Sequence, residues 1–84
     1  MGNRVALIGI IVDGDSCDES IHKLNEILHE ARGYIIGRMG VPYREKEISM
    51  ISVALDAPND VISSVSGKIG MLKGVTTKAI YSNK

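Results

Sequence analysis

Eight consecutive apolar residues, Val5 to Val12, constrain this chain more than anything else in it. It lies in a β-branched segment without helical caps, Asn3 to Val12, which reads as a strand. Its alternate faces are Val5, Leu7, Gly9, Ile11 and Ala6, Ile8, Ile10, Val12. Both are apolar, which places the strand in the middle of a sheet with both faces covered. At eight residues the run is too short to span a membrane, and Asp13 ends it.

The run recurs in the second half. Ile48 to Leu55 also has two apolar faces, Ile48, Met50, Ala54 and Ile51, Val53, Leu55, interrupted only by Ser49 and Ser52. Each run leads into turn chemistry and then a helical pattern. After the first come Asp13-Gly14-Asp15 and a capping box, Ser16-Cys17-Asp18-Glu19. The helix is expected from about Asp18 to Ala31, with Ile21, Leu24, Ile27, Leu28 and Ala31 on one face and Gly33 as its stop. After the second run come Asp56-Ala57-Pro58, a cap at Asn59 or Asp60, and a stripe of Val61, Ile62, Val65, Ile69 and Leu72, with Gly74 as the stop. Each helix is followed by another strand. Tyr34 to Val41 is marked as a bent or bulged edge by Gly37, Gly40 and Pro42. Val75 to Tyr81 closes the chain, and Pro42 to Glu47 forms the charged connection between the halves.

The order βαββαβ predicts one α+β domain over residues 1–84, ferredoxin-like. It is a four-stranded antiparallel sheet with two helices on one face. Right-handed crossovers put the first and third strands in the centre, and these are the two strands with apolar faces both ways. Helices on one side leave Leu7, Gly9, Ile11 and their neighbours open on the other, and such a patch marks an interface. The expectation is a homo-oligomer, a dimer or tetramer, joined by open sheet faces or by sheet edges.

Composition narrows the function. At 84 residues with 44% hydrophobic content and no Trp or Phe, the core must be aliphatic. Net charge is zero, so there is no general pull toward nucleic acid or anionic lipid. It is divided: residues 1–32 carry three basic and six acidic groups, and residues 33–84 seven basic and four acidic. The single Cys17 excludes an internal disulfide and, with no signal peptide in view, suggests a reducing, cytoplasmic location without membrane attachment.

Four sets of residues invite chemistry. His22, Glu26 and His29 fall on one helical face opposite the apolar stripe, and a solvated face accounts for them better than a metal site. Cys17 stands at a helix start, which favours a thiolate, but Asp15, Asp18 and Glu19 oppose one. The turn Asp13, Gly14, Asp15, Ser16 is a candidate ligand-binding segment, with free helix-end amides for an anion and two carboxylates for an amine or cation. Last, Gly67 and Gly70 sit inside the second helix at about 1 kcal/mol each. On a helical wheel they fall with Ser63 on the far side from the buried stripe, a smooth strip for close contact with a partner. No catalytic triad, acid–base pair or phosphate loop is recognisable, so no enzyme, cofactor or metal is expected.

At Gly37-Arg38-Met39-Gly40-Val41-Pro42-Tyr43-Arg44-Glu45, then Ser66-Gly67-Lys68-Ile69-Gly70 and Gly74-Val75-Thr76-Thr77-Lys78, the chain resembles a family of small bacterial proteins. These are the iron-only hydrogenase system regulators, stand-alone ACT-like domains similar to the ligand-binding half of the nickel-responsive repressor. The resemblance spans nearly the whole chain. It implies a cytoplasmic protein of anaerobes, oligomeric through its sheets, that regulates transcription linked to [FeFe]-hydrogenase and senses a small effector or docks a protein partner. The chain departs from the related pattern in two ways. Direct DNA binding is not expected without a partner, because the sequence begins at its first strand. The turn Asp13-Gly14-Asp15-Ser16 also lacks the proline of amino-acid-binding ACT domains. Two alternatives stand beside this reading: a structural or assembly protein that binds no ligand, and an amino-acid-binding regulatory subunit.

Overall fold

The computed structural model describes residues 2–14 and 17–84; the side chain of Cys17 is not among the described groups. The capping box through Ser16, the thiol of Cys17, and Asp15 and Ser16 of the candidate turn therefore lie outside the described residues. The elements are β1 (Arg4–Asp13), α1 (Cys17–Glu30), β2 (Ile35–Tyr43), β3 (Ile48–Ala57), α2 (Asn59–Gly70) and β4 (Val75–Tyr81), with 3-10 turns at Arg32–Tyr34 and Arg44–Lys46.

The sheet order is β2-β3-β1-β4, every pairing antiparallel, so the two strands with apolar faces both ways are central. The expected ferredoxin-like topology is the one observed. The even residues of β1 face the helices: Ala6, Ile8, Ile10 and Val12 are buried, as are Ile51, Val53, Leu55 and Ala57 of β3. Leu24, Leu28 and Ala31 of α1 and Ile62, Val65 and Ile69 of α2 close over them. Each Val, Leu or Ile among them contributes about 1.5–3 kcal/mol by leaving water. The spacing of these residues, three or four apart, explains why the two segments fold as helices against this face.

Several boundaries differ from expectation; β3, for one, runs through Asp56 to Ala57 instead of ending at Leu55. Helix α2 ends at Gly70 rather than at Gly74. The Met71 N–H still reaches the Gly67 carbonyl (3.2 Å), but the Leu72 N–H turns to Ile69 (3.1 Å), and Gly74 reverses the chain with φ 74°. That left-handed backbone is where glycine is needed, so Gly74 shapes the turn rather than the helix end. The N-cap of α2 is Pro58, with no side-chain cap bond, instead of Asn59 or Asp60. Its carbonyl accepts from Val61 (3.0 Å) and Ile62 (3.2 Å), while Asn59 is already helical. Strand β2 runs on through Pro42 and Tyr43, tolerated because β2 is an edge. Its expected bulge lies between Ile35 and Gly37.

Candidate functional site

Two surfaces come out of this framework. The first is the open sheet face. Because β1 alternates strictly, burying its even residues puts Val5, Leu7, Gly9 and Ile11 on the side away from the helices. The register aligns Leu7 with Ala54 of β3 and Ile80 of β4, and Ile11 with Met50 and Thr76. Met39 and Val41 of β2 pair with Ser52 and Met50 and extend the same side. Leu7 (45%), Met39 (62%) and Ile80 (68%) are exposed well beyond the norm for large apolar side chains. Gly9 lies in the middle, between Ser52 and Lys78. Nothing approaches within 4 Å of where its side chain would be. The result is a hollow of about 340 Å³ walled by Ile11, Met50, Thr76 and Lys78. The structure thus places Leu7, Gly9 and Ile11, all expected as interface residues, on one largely apolar face that Ser52 and Lys78 cross at its middle.

The second surface is the end of the sheet where β1 stops. The Gly14 N–H donates to Asp13 Oδ1 (2.9 Å), so that carboxylate is engaged by its own turn. The Asp13 N–H donates to the Gly74 carbonyl (2.7 Å), and the buried Ser20 hydroxyl donates to the Lys73 carbonyl (2.6 Å). These two bonds hold the β1–α1 turn against the α2–β4 turn. Gly14 also packs under Glu47, whose own backbone is left-handed (φ 54°) at the close of the Arg44–Lys46 turn. A shallow cavity of about 320 Å³ opens beside them, lined by Pro42, Tyr43, Arg44, Glu47, Ile48 and Ser49. Arg44 and Glu47 are exposed at its rim, and no ion pair joins them. A guanidinium and a carboxylate beside one cavity suit a small polar ligand carrying charge. Of the candidate turn residues Gly14 lines this cavity, and the hairpin residues beside it were not anticipated from the sequence. The pairing of Asp13 with Ile48, 35 residues apart in the chain, is what brings Glu47 over Gly14.

The remaining candidates separate. His22 and Glu26 lie on the outer face of α1, with side chains 78% and 66% exposed and Nε2 and Oε2 4.0 Å apart. His29 is exposed beside them. Among the described residues no group of three or more His, Cys, Asp or Glu is placed to hold a metal ion. The α2 strip is divided, which corrects the helical-wheel expectation. Ser63 is exposed, and Gly67 has nothing within 4 Å of a side-chain position. A Cβ on Gly70, however, would meet Thr77 Cγ2 at 3.1 Å. Gly70 therefore serves the contact of α2 with β4, letting the last helical turn settle on the sheet. A groove between the helices, lined by Ile27, Tyr34, Asp60, Val61 and Lys68 among others, was not anticipated. No helix of the described chain is long and apolar enough to cross a membrane.

Comparison with known proteins bears on the family and the fold. Residues 4–79 match the family described as "TM1266-like: Iron-only hydrogenase system regulator, putative". The solved structure of TM1266 from Thermotoga maritima is similar over 94% of this chain and 96% of that one, at 32% identity and a TM-score of 0.89. The C-terminal domain of MgtC from Mycobacterium tuberculosis is similar over 96% of this chain and 89% of that domain (8% identity, TM-score 0.72). A formyltetrahydrofolate deformylase from Pseudomonas putida matches 95% of this chain with 30% of its own (14% identity, TM-score 0.68). The last two share the fold alone. No curated protein matches the chain.

Proposed function

The chain belongs to the TM1266-like family of iron-only hydrogenase system regulators, and on that premise we propose that it is a small regulatory module working as a homo-oligomer through its open sheet face. Its regulatory input is a small charged effector taken at the cavity between Gly14 and the Tyr43–Glu47 hairpin. Its output is a change in partner docking, which carries the link to transcription. Direct reading of DNA is not part of the proposal. The net charge is zero and the open face is apolar, with Lys78 its one basic residue, so it offers no stripe for phosphates.

The open face carries this reading. Strands of ten residues and a width of four strands give it a projected area of about 600 Å². Paired with a second copy it would bury about 1,200 Å², the lower bound of the range for specific interfaces. A single copy leaves Leu7, Ile11, Met39 and Ile80 in water, and a partner of the same sequence covers both sets at once. The solution mass of the protein and of Leu7→Glu tests the assembly. Thermal denaturation with amino acids, nucleotides and metal salts tests the effector. Stabilisation of the wild-type chain but not of Arg44→Ala supports the cavity. No stabilisation of either leaves the second reading, an assembly subunit without a ligand, which the shallow and solvent-exposed form of the cavity favours.

A further inference from the structure

The sheet has two edges, and they are built differently. Natural edge strands are protected from joining other sheets by bulges, prolines, short length or charge. Edge β2 has a bulge between Ile35 and Gly37, a second glycine at Gly40, and Pro42. Edge β4 has no bulge, glycine or proline; at seven residues with the single charge of Lys78, it is the less guarded of the two. Val75–Tyr81 pairs with β1 in an unbroken register and contains no glycine or proline. Its sequence, VTTKAIY, is rich in residues that favour strands.

The backbone bonds define what this edge offers. In an antiparallel pair, each residue turns both its N–H and its C=O to the same side. The Asp13 N–H to Gly74 carbonyl bond (2.7 Å) and the Ser82 N–H to Val5 carbonyl bond (2.8 Å) continue the β1–β4 register at its two ends. They show that the even residues of β4 face β1. The odd residues therefore face outward. The Val75 N–H is taken by the Leu72 carbonyl (3.3 Å), but both backbone groups of Thr77, Ala79 and Tyr81 have no partner among the described residues.

We propose that β4 pairs antiparallel with β4 of a second copy about a two-fold axis at Ala79, making one continuous eight-stranded sheet. The proposal rests on the homo-oligomer reading and assigns it a second interface. The register follows from the residues. Bonded rungs must join odd residues to odd residues. Centring on Ala79 gives three complete rungs: Thr77 to the partner's Tyr81, Ala79 to the partner's Ala79, and Tyr81 to the partner's Thr77. Centring on Thr77 replaces the outer rungs with ones that use Val75, whose N–H is already taken. Centring on Lys78 sets Lys78 directly against its own copy, and like charges directly opposite are destabilising. With Ala79 at the axis, Lys78 instead lies opposite the partner's Ile80. Its aliphatic stem there covers part of a side chain that is 68% exposed in one copy. The engaged N–H of Val75 and the charge of Lys78 together favour this register over those two.

The test is disulfide trapping of the full chain carrying Cys17→Ser, with either Ala79→Cys or Lys78→Cys added, under mild oxidation and read on a non-reducing gel. Sedimentation of the reduced proteins accompanies it. The inference expects a covalent dimer from Ala79→Cys and little from Lys78→Cys, because facing residues of a rung come within disulfide range. It also expects Ala79→Pro to halve the sedimenting mass, since that substitution removes an outward N–H and no bond to β1. An oligomer in which Ala79→Cys stays uncrosslinked overturns the edge pairing and leaves the open-face assembly standing. Crosslinking mainly through Lys78→Cys overturns the register. A monomeric chain overturns both the pairing and the assembly on which it rests.

Discussion

A side chain on Gly14 would strike Glu47: its Cβ would be driven into the Glu47 carbonyl oxygen and lie 2.7 Å from the Glu47 Cβ. The end of β1 and the start of β3 are thereby locked together with no room to spare. Both residues belong to the same corner of the sheet, and Glu47 holds its position in a left-handed conformation that closes the Arg44–Lys46 turn.

Gly14→Ala is therefore expected to destabilise the fold by about 1–3 kcal/mol, the usual cost of overpacking a close contact. The backbone of Gly14 is not in a left-handed conformation, so the loss comes from contact and not from strain. Urea denaturation would read it as a lower midpoint at unchanged slope. Effector binding at the adjoining cavity should weaken in parallel.

Ser20→Ala is expected to cost about 1–3 kcal/mol, because it leaves the Lys73 carbonyl without its donor in a place where Ser20 itself is buried. This bond joins α1 to the turn that precedes β4. Hydrogen exchange should accordingly speed up around Lys73 and Gly74 more than in the β1–β3 ladder.

Thr77→Val should be neutral or stabilising by about 1 kcal/mol, since replacing an unsatisfied buried hydroxyl by an isosteric methyl removes its desolvation cost. Thr77 Oγ1 is buried and has no hydrogen-bond partner among the described residues. Thermal unfolding measures the change. A clear loss of stability would mean that the hydroxyl has a partner, such as one supplied by a second copy.

The two glycines of α2 should respond differently. Gly67→Ala meets open space and should gain up to about 1 kcal/mol of helix stability. Gly70→Ala should gain less or lose, because Thr77 Cγ2 sits 3.1 Å from the new carbon and must move. Parallel urea titrations of the two variants provide the comparison.

These positions show where sequence was enough. The central places of β1 and β3 were legible because each strand is apolar on both faces, and the edge place of β2 because its glycines and proline suit nothing else. The core of α1 was legible because Leu24, Leu28 and Ala31 repeat at helical spacing over a segment that is helical almost throughout. Gly70 was misplaced because a helical wheel assumes that the helix continues, whereas α2 ends there and settles on β4. The cap at Pro58 was missed because Asn59 and Asp60 carry better side-chain acceptors. The chain leaving Ala57, which is paired with Arg4, has already turned into the helix when it reaches Asn59. The cavity beside Gly14 was only half visible. Its other wall comes from a strand register, and no local pattern carries a contact between residues so far apart in the chain.

A second copy is expected to cover the open face on which Leu7 stands exposed. Sedimentation equilibrium of the wild-type chain and of Leu7→Glu at micromolar concentration tests it most directly. The expected result is an oligomer for the wild type and at most half that mass for Leu7→Glu, with circular dichroism unchanged. A wild-type monomer, or a Leu7→Glu variant with the wild-type mass, would contradict it.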